Sequence, residues 1–252
     1  VSAPDAARRE AALDTYLHPG KRRVGLDLSR AQGRQMLRGL ADRADIVVTD
    51  APVSTLDALG WDNWTGGAPV RASITPFGLS GPYRDWEATS AVLLAMGGYT
   101  YLVGDPGRVP LTLPGYYAEF QAGQHAYISA LAAHLQRARD DRDRCSIEVS
   151  VLETVLAASQ FTTVMWTFQG KGRSRHGNHW ENVHPLSLYR CLDGWVCFNV
   201  VHHVWGPFTR MLGNPALESD PRFASNGARM AHQAELDAII NSGRRSARSV
   251  VK

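Results

Sequence analysis

The chain has 252 residues, 44% hydrophobic and 20% charged, the balance of an ordinary globular protein with room for one large or two modest domains. It contains no run of about 18 apolar residues, so no membrane-spanning helix is expected, and its net charge of +3 is too small and too unevenly placed for a nucleic-acid binder. Much of that excess sits in the tail, at Arg244, Arg245, Arg248 and Lys252, whereas RARDDRDR (137–144) balances four Arg with three Asp and reads as a solvated turn.

The start, VSAPDAARREAALDTY, has no basic segment followed by an apolar one and does not read as a secretory signal. Cys145, Cys191 and Cys197 are odd in number and form no C-x-x-C pair. They are expected to be reduced core thiols of a cytoplasmic protein.

Residues 3–16 have the pattern of a short amphipathic helix, broken by His18-Pro19-Gly20. Val24–Leu28 reads as a short strand, and Ser29 as the N-cap of a helix reaching about Arg43 with Met36, Leu37 and Leu40 on one face. Asp45–Asp50 reads as a parallel strand covered on both sides. A brief helix with Leu56 and Leu59 ends at Gly60, a loop runs to Gly67, and Val70–Thr75 is a third strand. Strands alternating with helices at this spacing predict a parallel α/β layer. No G-x-G-x-x-G or P-loop opens any of these helices.

From Thr75 the chain enters a loop with Gly78, Gly81 and Pro82, then a short apolar helix stopped by Gly97-Gly98. A long helix follows, with Glu119 at its start and an apolar face formed by Phe120, Gly123, Ala126, Tyr127, Ala130, Leu131, His134 and Leu135. Glu119 is the only acid between Asp105 and Asp140. Two readings fit it. The helix N-terminus stabilises an acid by about 0.3–1 kcal/mol, or it presents a carboxylate nucleophile in surroundings that keep water away.

Cys145–Ser150 reads as a strand and Val151 to about Gln169 as one helix. KGRSRHGNH (171–179) has the texture of a linker. Beyond it, Leu186–Cys191 and Trp195–Val201 predict a β-hairpin turning at Asp193-Gly194. Helices are expected near Val204–Leu212 and Ala228–Ile240. The organisation read from this is a large domain over 1–170, a linker over 171–183 and a smaller α+β domain over 184–252.

Several stretches together resemble the class III CoA-transferase family, which includes formyl-CoA and carnitine-CoA transferases and related acyl-CoA racemases. They are PGKRRVGLDLSRAQGRQML (19–37), ADIVVTD (44–50) with LDALGWD, SITPFGLSGPY (73–83), AGQHAYISALAAHLQR (122–137), IEVSVLETVL (147–156), HPLSLYRCLDGWV and DPRFASNGARMAHQAELDAII. They stand in the family's order over roughly residues 18–240.

The resemblance implies an α/β fold: a Rossmann-like parallel-sheet large domain with a second, smaller α+β domain, in an interlocked homodimer. It implies CoA transfer between an acyl-CoA thioester and a small carboxylic acid through an aspartyl nucleophile, an anhydride and an enzyme–CoA thioester. CoA is then substrate, and neither a resident cofactor nor a metal is needed. Glu119 stands at the aspartate's position. Its head lies one methylene further from the backbone, which leaves open a non-catalytic acyl-CoA-binding or dimer-partner role. Lys21, with Arg22 beside it, matches a basic position near the CoA phosphates; both also read as solvated cations. Glu87 stands where some relatives carry Lys. The His-Asp pair of the racemase branch falls on Ala88-Thr89-Ser90, which offers neither acid nor base, and racemisation ranks low for that reason. The formyl-CoA transferases' glycine-rich flap has no counterpart, GNHWEN (177–182) standing there instead. Family members also extend beyond both ends of this chain.

Other clusters read as structural. His176, His179, Glu181 and His184 lack a helical H-x-x-x-H and are not expected to hold metal. His202 and His203 point to opposite faces if the strand before them continues. His125 reads as a core histidine, and Trp166, Trp180, Trp195 and Trp205 as core or interface anchors. Tyr116 and Tyr117 either shape an acyl pocket or pack structurally.

Overall fold

The protein is described from a computed structural model covering residues 12–61, 63–64, 70–140 and 145–243. The start of the first expected helix, the loop at 62 and 65–69, the end of the charged turn at 141–144 and the basic tail from Arg244 lie outside the described residues. Two compact units are present. One combines the stretch up to Ser73 with Ala126–Glu148; the other combines Ile74–His125 with the stretch from Val149 on.

The described part of the first unit begins in a helix, α1 (described over residues 12–17), and continues as an irregular segment. Val24–Leu28 is not a strand. Val24 is largely exposed, and Asp27 closes a local turn instead, accepting from the backbone N–H and hydroxyl of Ser29. Ser29 is thereby drawn away from capping. α2 (Ala31–Ala41) has Arg30 at its N-cap with no side-chain bond. Its buried positions are the small residues Gly33 and Ala41, while Met36 and Leu40 stay exposed. Gly33 lies so close to the segment before it that a Cβ there would come within 2.0 Å of the Asp27 carbonyl oxygen.

β1 (Ile46–Thr49) pairs in parallel with β2 (Val70–Thr75), and β3 (Cys145–Ser150) joins β2 on its other side. β1 is therefore an edge strand. That explains its half-exposed pattern, with Val48 turned to solvent, where coverage on both faces was expected. β2, in the middle, is buried along nearly its whole length. α3 (Val53–Leu59) ends as the sequence predicts at Gly60, whose φ of 67° suits glycine. The loop after it is held down by Arg71 of β2, which is buried, donates to the Trp61 carbonyl at 2.5 Å and stacks over the indole.

In the second unit, α4 (Ser90–Met96) and the one-turn α5 (Tyr99–Leu102) precede the 24-residue α6 (Tyr117–Asp140), the last part of which belongs to the first unit. The buried face of α6 matches expectation at Ala126 and Ala130 and differs at its large residues. Ala118, Ala122, Ala126 and Ala130, spaced by four, are at most 4% exposed, whereas Phe120, Tyr127, Leu131 and Leu135 are open. An alanine ladder lets neighbours approach the helix backbone closely, so small side chains, not large ones, mark the inward side.

The helix after β3 is two helices. Ser150 caps α7 (Val151–Ala158) through the Glu153 N–H, and Ser159 interrupts before α8 (Gln160–Gln169). α4 packs on α7 at Gly97, where a Cβ would lie 2.4 Å from Val155 Cγ1. Of the three unpaired cysteines only Cys191 is buried, against the expectation of three core thiols.

The hairpin forms as predicted: β4 (Leu186–Arg190) and β5 (Trp195–Asn199) pair antiparallel, closed by the Cys191 N–H donating to the Gly194 carbonyl. Tyr189, Val200, Trp205, Phe208, Leu217, Phe223, Leu236 and Ile240 bury against one another as a core. The last predicted helix is split at His232 into α10 (Asn226–Ala231) and α11 (Gln233–Gly243), with α9 (Trp205–Met211) earlier in the chain. Arg229 is fully buried. It donates from Nε to the His184 carbonyl at 2.8 Å and from Nη1 to the Phe223 carbonyl at 2.9 Å, and lies 4.6 Å from the Trp205 ring centroid. Burial holds its pKa below the usual arginine value.

Gly97→Ala is expected to cost about 1–3 kcal/mol of unfolding free energy, recovered in large part by adding Val155→Ala, as denaturant titration of the two variants would show. Arg229→Ala should cost about 2–5 kcal/mol, because two buried carbonyls lose their donor. His184 is buried, and burial lowers its pKa below 6.5. The unfolded chain then takes up the proton first, so this group's contribution is present above 6.5 and lost as pH falls through the window below it. The melting temperature of the wild type should therefore fall more steeply below pH 6.5 than that of His184→Gln.

Candidate active site

Glu119 lies in the first turn of α6, where backbone N–H groups and the helix dipole favour a negative charge. Phe120 N–H donates to the Tyr116 carbonyl, so the helical hydrogen-bonding begins around the acid. Among the described residues one side chain meets the carboxylate: the hydroxyl of Ser90, the first residue of α4, donates to Glu119 Oε1. The acid is exposed. The water-excluding surroundings expected of a nucleophile are therefore not supplied by its immediate neighbours in the second unit.

α4 is set by its packing. Leu93 and Leu94 are buried, Gly97 lies against Val155, and the Leu93 N–H returns to the Thr89 carbonyl. Before it, the loop leaving β2 turns at Gly78 and Gly81, with φ of 93° and 85°. The Gly78 N–H donates to Thr75 Oγ1, and the Leu152 N–H reaches back to the Pro76 carbonyl. Phe77, Tyr83 and Trp86 form an aromatic group here, the Tyr83 and Trp86 rings 4.6 Å apart and both exposed.

Two residues before Glu119, Tyr117 shares a 3.1 Å hydroxyl–hydroxyl hydrogen bond with Tyr99. That bond, with burial, pushes the Tyr117 phenol up to about 12 and keeps it neutral. Tyr116 is exposed. His125 is half-buried, and its Nδ1–H donates to the Gln121 carbonyl at 2.8 Å, a bond within its own helix.

Lys21 and Arg22 are exposed in the irregular segment after α1, Lys21 Nζ lying 3.2 Å from His18 Nδ1. They belong to the first unit and Glu119 to the second. The three histidines considered for metal are divided between two acids, one of them Glu181. His176 and Arg173 meet Glu181, while His179 and His184 meet Asp237, which also accepts from the Tyr189 hydroxyl at 2.6 Å. Trp205 is a core anchor, whereas Trp166 and Trp195 are exposed and Trp180 packs with Phe161 beside Arg173.

Ser90 is the residue that sequence reasoning passed over as neither acid nor base. Its 29-residue separation from Glu119 carries no periodic signal. A hydroxyl opening a helix that precedes the acid-bearing helix was the only available hint.

A profile of the family described as CoA-transferase family III matches residues 2–248. Among curated proteins, a succinyl-CoA–D-citramalate CoA-transferase of Chloroflexus aurantiacus is 32% identical over 228 residues, covering 87% of this chain and 56% of the relative. A succinate–glutarate CoA-transferase of Agrobacterium fabrum is 27% identical over 249 residues, covering 96% and 62%. The chain thus spans little more than half the length of these relatives. Among solved structures, a CAIB/BAIF family protein from Brucella suis superposes with a TM-score of 0.77 at 27% identity, over 93% of this chain and 64% of that one. A match running from residue 2 to residue 248 places the chain in CoA-transferase family III.

Proposed function

We propose that this chain transfers coenzyme A between an acyl-CoA thioester and a free carboxylic acid, with Glu119 as nucleophile. The observation that carries this reading is the placement of a carboxylate in the first turn of a long helix, with a hydroxyl on one of its oxygens. In the first half-reaction one Glu119 oxygen bonds to the acyl carbon and the carbon–sulfur bond breaks, releasing CoA thiolate. The thiolate adds to the Glu119 carboxyl carbon and expels the acyl group as a carboxylate. The acceptor acid then reverses both steps, leaving Glu119 free and the new acyl-CoA formed. No proton is gained or lost overall, which suits a site without a strong general base.

Lys21 and Arg22 are the cations we assign to the CoA phosphates. Their exposure supports this, because point charges at the surface can meet a soluble polyanion. The smaller domain is taken as 184–252, with its own core and the linker at 171–183. The active form is proposed as a homodimer. Tyr127, Ile128 and Leu135 of α6, and Val164, Trp166 and Phe168 of α8, are exposed and suit a partner copy. Three unpaired cysteines fit a reducing, cytoplasmic setting. No helix among the described residues is long and apolar enough to cross a membrane. The exposure of Glu119 favours, as the second reading, a non-catalytic acyl-CoA-binding member of the fold.

Intact mass spectrometry after incubation with acyl-CoAs separates the two readings. The short dicarboxylates named for the relatives are the first panel. The transferase reading expects a CoA-sized adduct that hydroxylamine removes and that Glu119→Gln never forms. CoA binding without an adduct would establish the second reading. Glu119→Asp, although it restores the family's usual side chain, is expected to lower kcat by about 10²-fold, because the carboxylate retracts by about 1 Å from a site fitted to Glu. Lys21→Ala and Arg22→Ala should each raise KM for acyl-CoA by about 2- to 5-fold with kcat unchanged, the size expected of exposed charge pairs.

A further inference from the structure

A carboxylate that accepts one hydrogen bond has two unlike oxygens. In Glu119, Oε1 accepts from the Ser90 hydroxyl, and Oε2 has no partner among the described residues. We propose that Ser90 holds Oε1 throughout the reaction and stabilises the oxyanion formed there each time a nucleophile adds to the Glu119 carboxyl carbon. This deepens the transferase reading and rests on it.

The electron bookkeeping gives the two oxygens separate tasks. Oε2 bonds to the acyl carbon as the thioester carbon–sulfur bond breaks and its pair leaves on CoA thiolate. Oε1 becomes the carbonyl oxygen of the anhydride and still faces the serine hydroxyl. When the thiolate adds to Cδ of Glu119, the carbonyl pair moves onto Oε1, and the hydrogen bond from Ser90 strengthens as that charge grows. Collapse re-forms the carbonyl at Oε1, breaks the Cδ–Oε2 bond and releases Oε2 with the departing acid. The acceptor acid passes through the same oxyanion in the opposite direction. The serine proton is never transferred. A donor that binds the developing charge more tightly than the ground state lowers the barrier.

Three features suit Ser90 to this task. It is neutral, so it does not repel the carboxylate as an acid in its place would. Its hydroxyl rotates and can follow Oε1 as the carbon changes from planar to tetrahedral. Its helix is fixed by buried Leu93 and Leu94 and by the approach of Gly97 to Val155, so the donor stands on a packed element. Of the two tyrosines just before Glu119, Tyr117 already shares its hydroxyl with Tyr99.

The test compares the full chain as wild type, Ser90→Ala, Ser90→Thr and Glu119→Gln, reading the rate of CoA-adduct formation, steady-state kcat and KM, and the melting temperature. Ser90→Ala is expected to slow adduct formation and kcat by about 10- to 100-fold, leaving KM for acyl-CoA and the melting temperature unchanged. Ser90→Thr, which keeps the hydroxyl, should recover most of the loss. Wild-type rates in Ser90→Ala would overturn the assignment to Ser90 alone. Equal losses in Ser90→Ala and Ser90→Thr would also overturn it, since packing would then be the cause. A wild type that forms no adduct while still binding CoA would overturn the transferase reading and this one with it.

Discussion

In the second unit, the position of α4 depends on the close approach of Gly97 to Val155. α4 has only seven residues, too few to be stable alone, so its place is fixed by packing. Any side chain at Gly97 would push it off α7. α7 is anchored in turn, capped by Ser150 at the end of β3 and tied by the Leu152 N–H to the Pro76 carbonyl just beyond β2. The strand ends therefore place α7, α7 places α4, and the first residue of α4 delivers its hydroxyl to Glu119. A contact made by the absence of a side chain controls the position of a polar group seven residues earlier in the chain.

The same logic runs along α6. Its inward side is a ladder of alanines, while large apolar residues such as Tyr127 and Ile128 face outward. Hydrophobic periodicity points to the large residues as well as to Ala126 and Ala130, because burial is usually driven by apolar area. Of that face Ala126 and Ala130 are buried while the large residues are open. α2 repeats the pattern with Gly33 and Ala41 buried and Met36 exposed.

What the sequence made legible were elements whose causes are local. Val70–Thr75 and Cys145–Ser150 are found with the predicted bounds, α3 stops at Gly60, and the hairpin turns at Asp193-Gly194. Glu119 was legible as an acid at a helix start. Features decided by distant partners were not. Val24–Leu28 has strand-like composition but no ladder partner among the described residues. Ser159 breaks a helix that its neighbours would continue. Ser90 acquires significance only once α4 lies beside α6. The resemblance to the family rests in part on residues whose work is structural: within DPRFASNGAR, Phe223 is a fully buried core residue and Arg229 holds two backbone carbonyls.

The central claim is that a Glu119 carboxylate oxygen takes part in covalent chemistry and is exchanged with the acceptor acid at each turnover. Supplying acceptor acid labelled with oxygen-18 in its carboxylate, allowing turnover with unlabelled acyl-CoA, and digesting with trypsin isolates this event. Cleavage after Arg108 and Arg137 gives a peptide whose only carboxylate side chain is Glu119. Label appearing in that peptide, localised to Glu119 by fragmentation and absent without acyl-CoA, is the predicted result. Turnover that leaves the peptide unlabelled would show that CoA passes directly between the acids and would contradict the account.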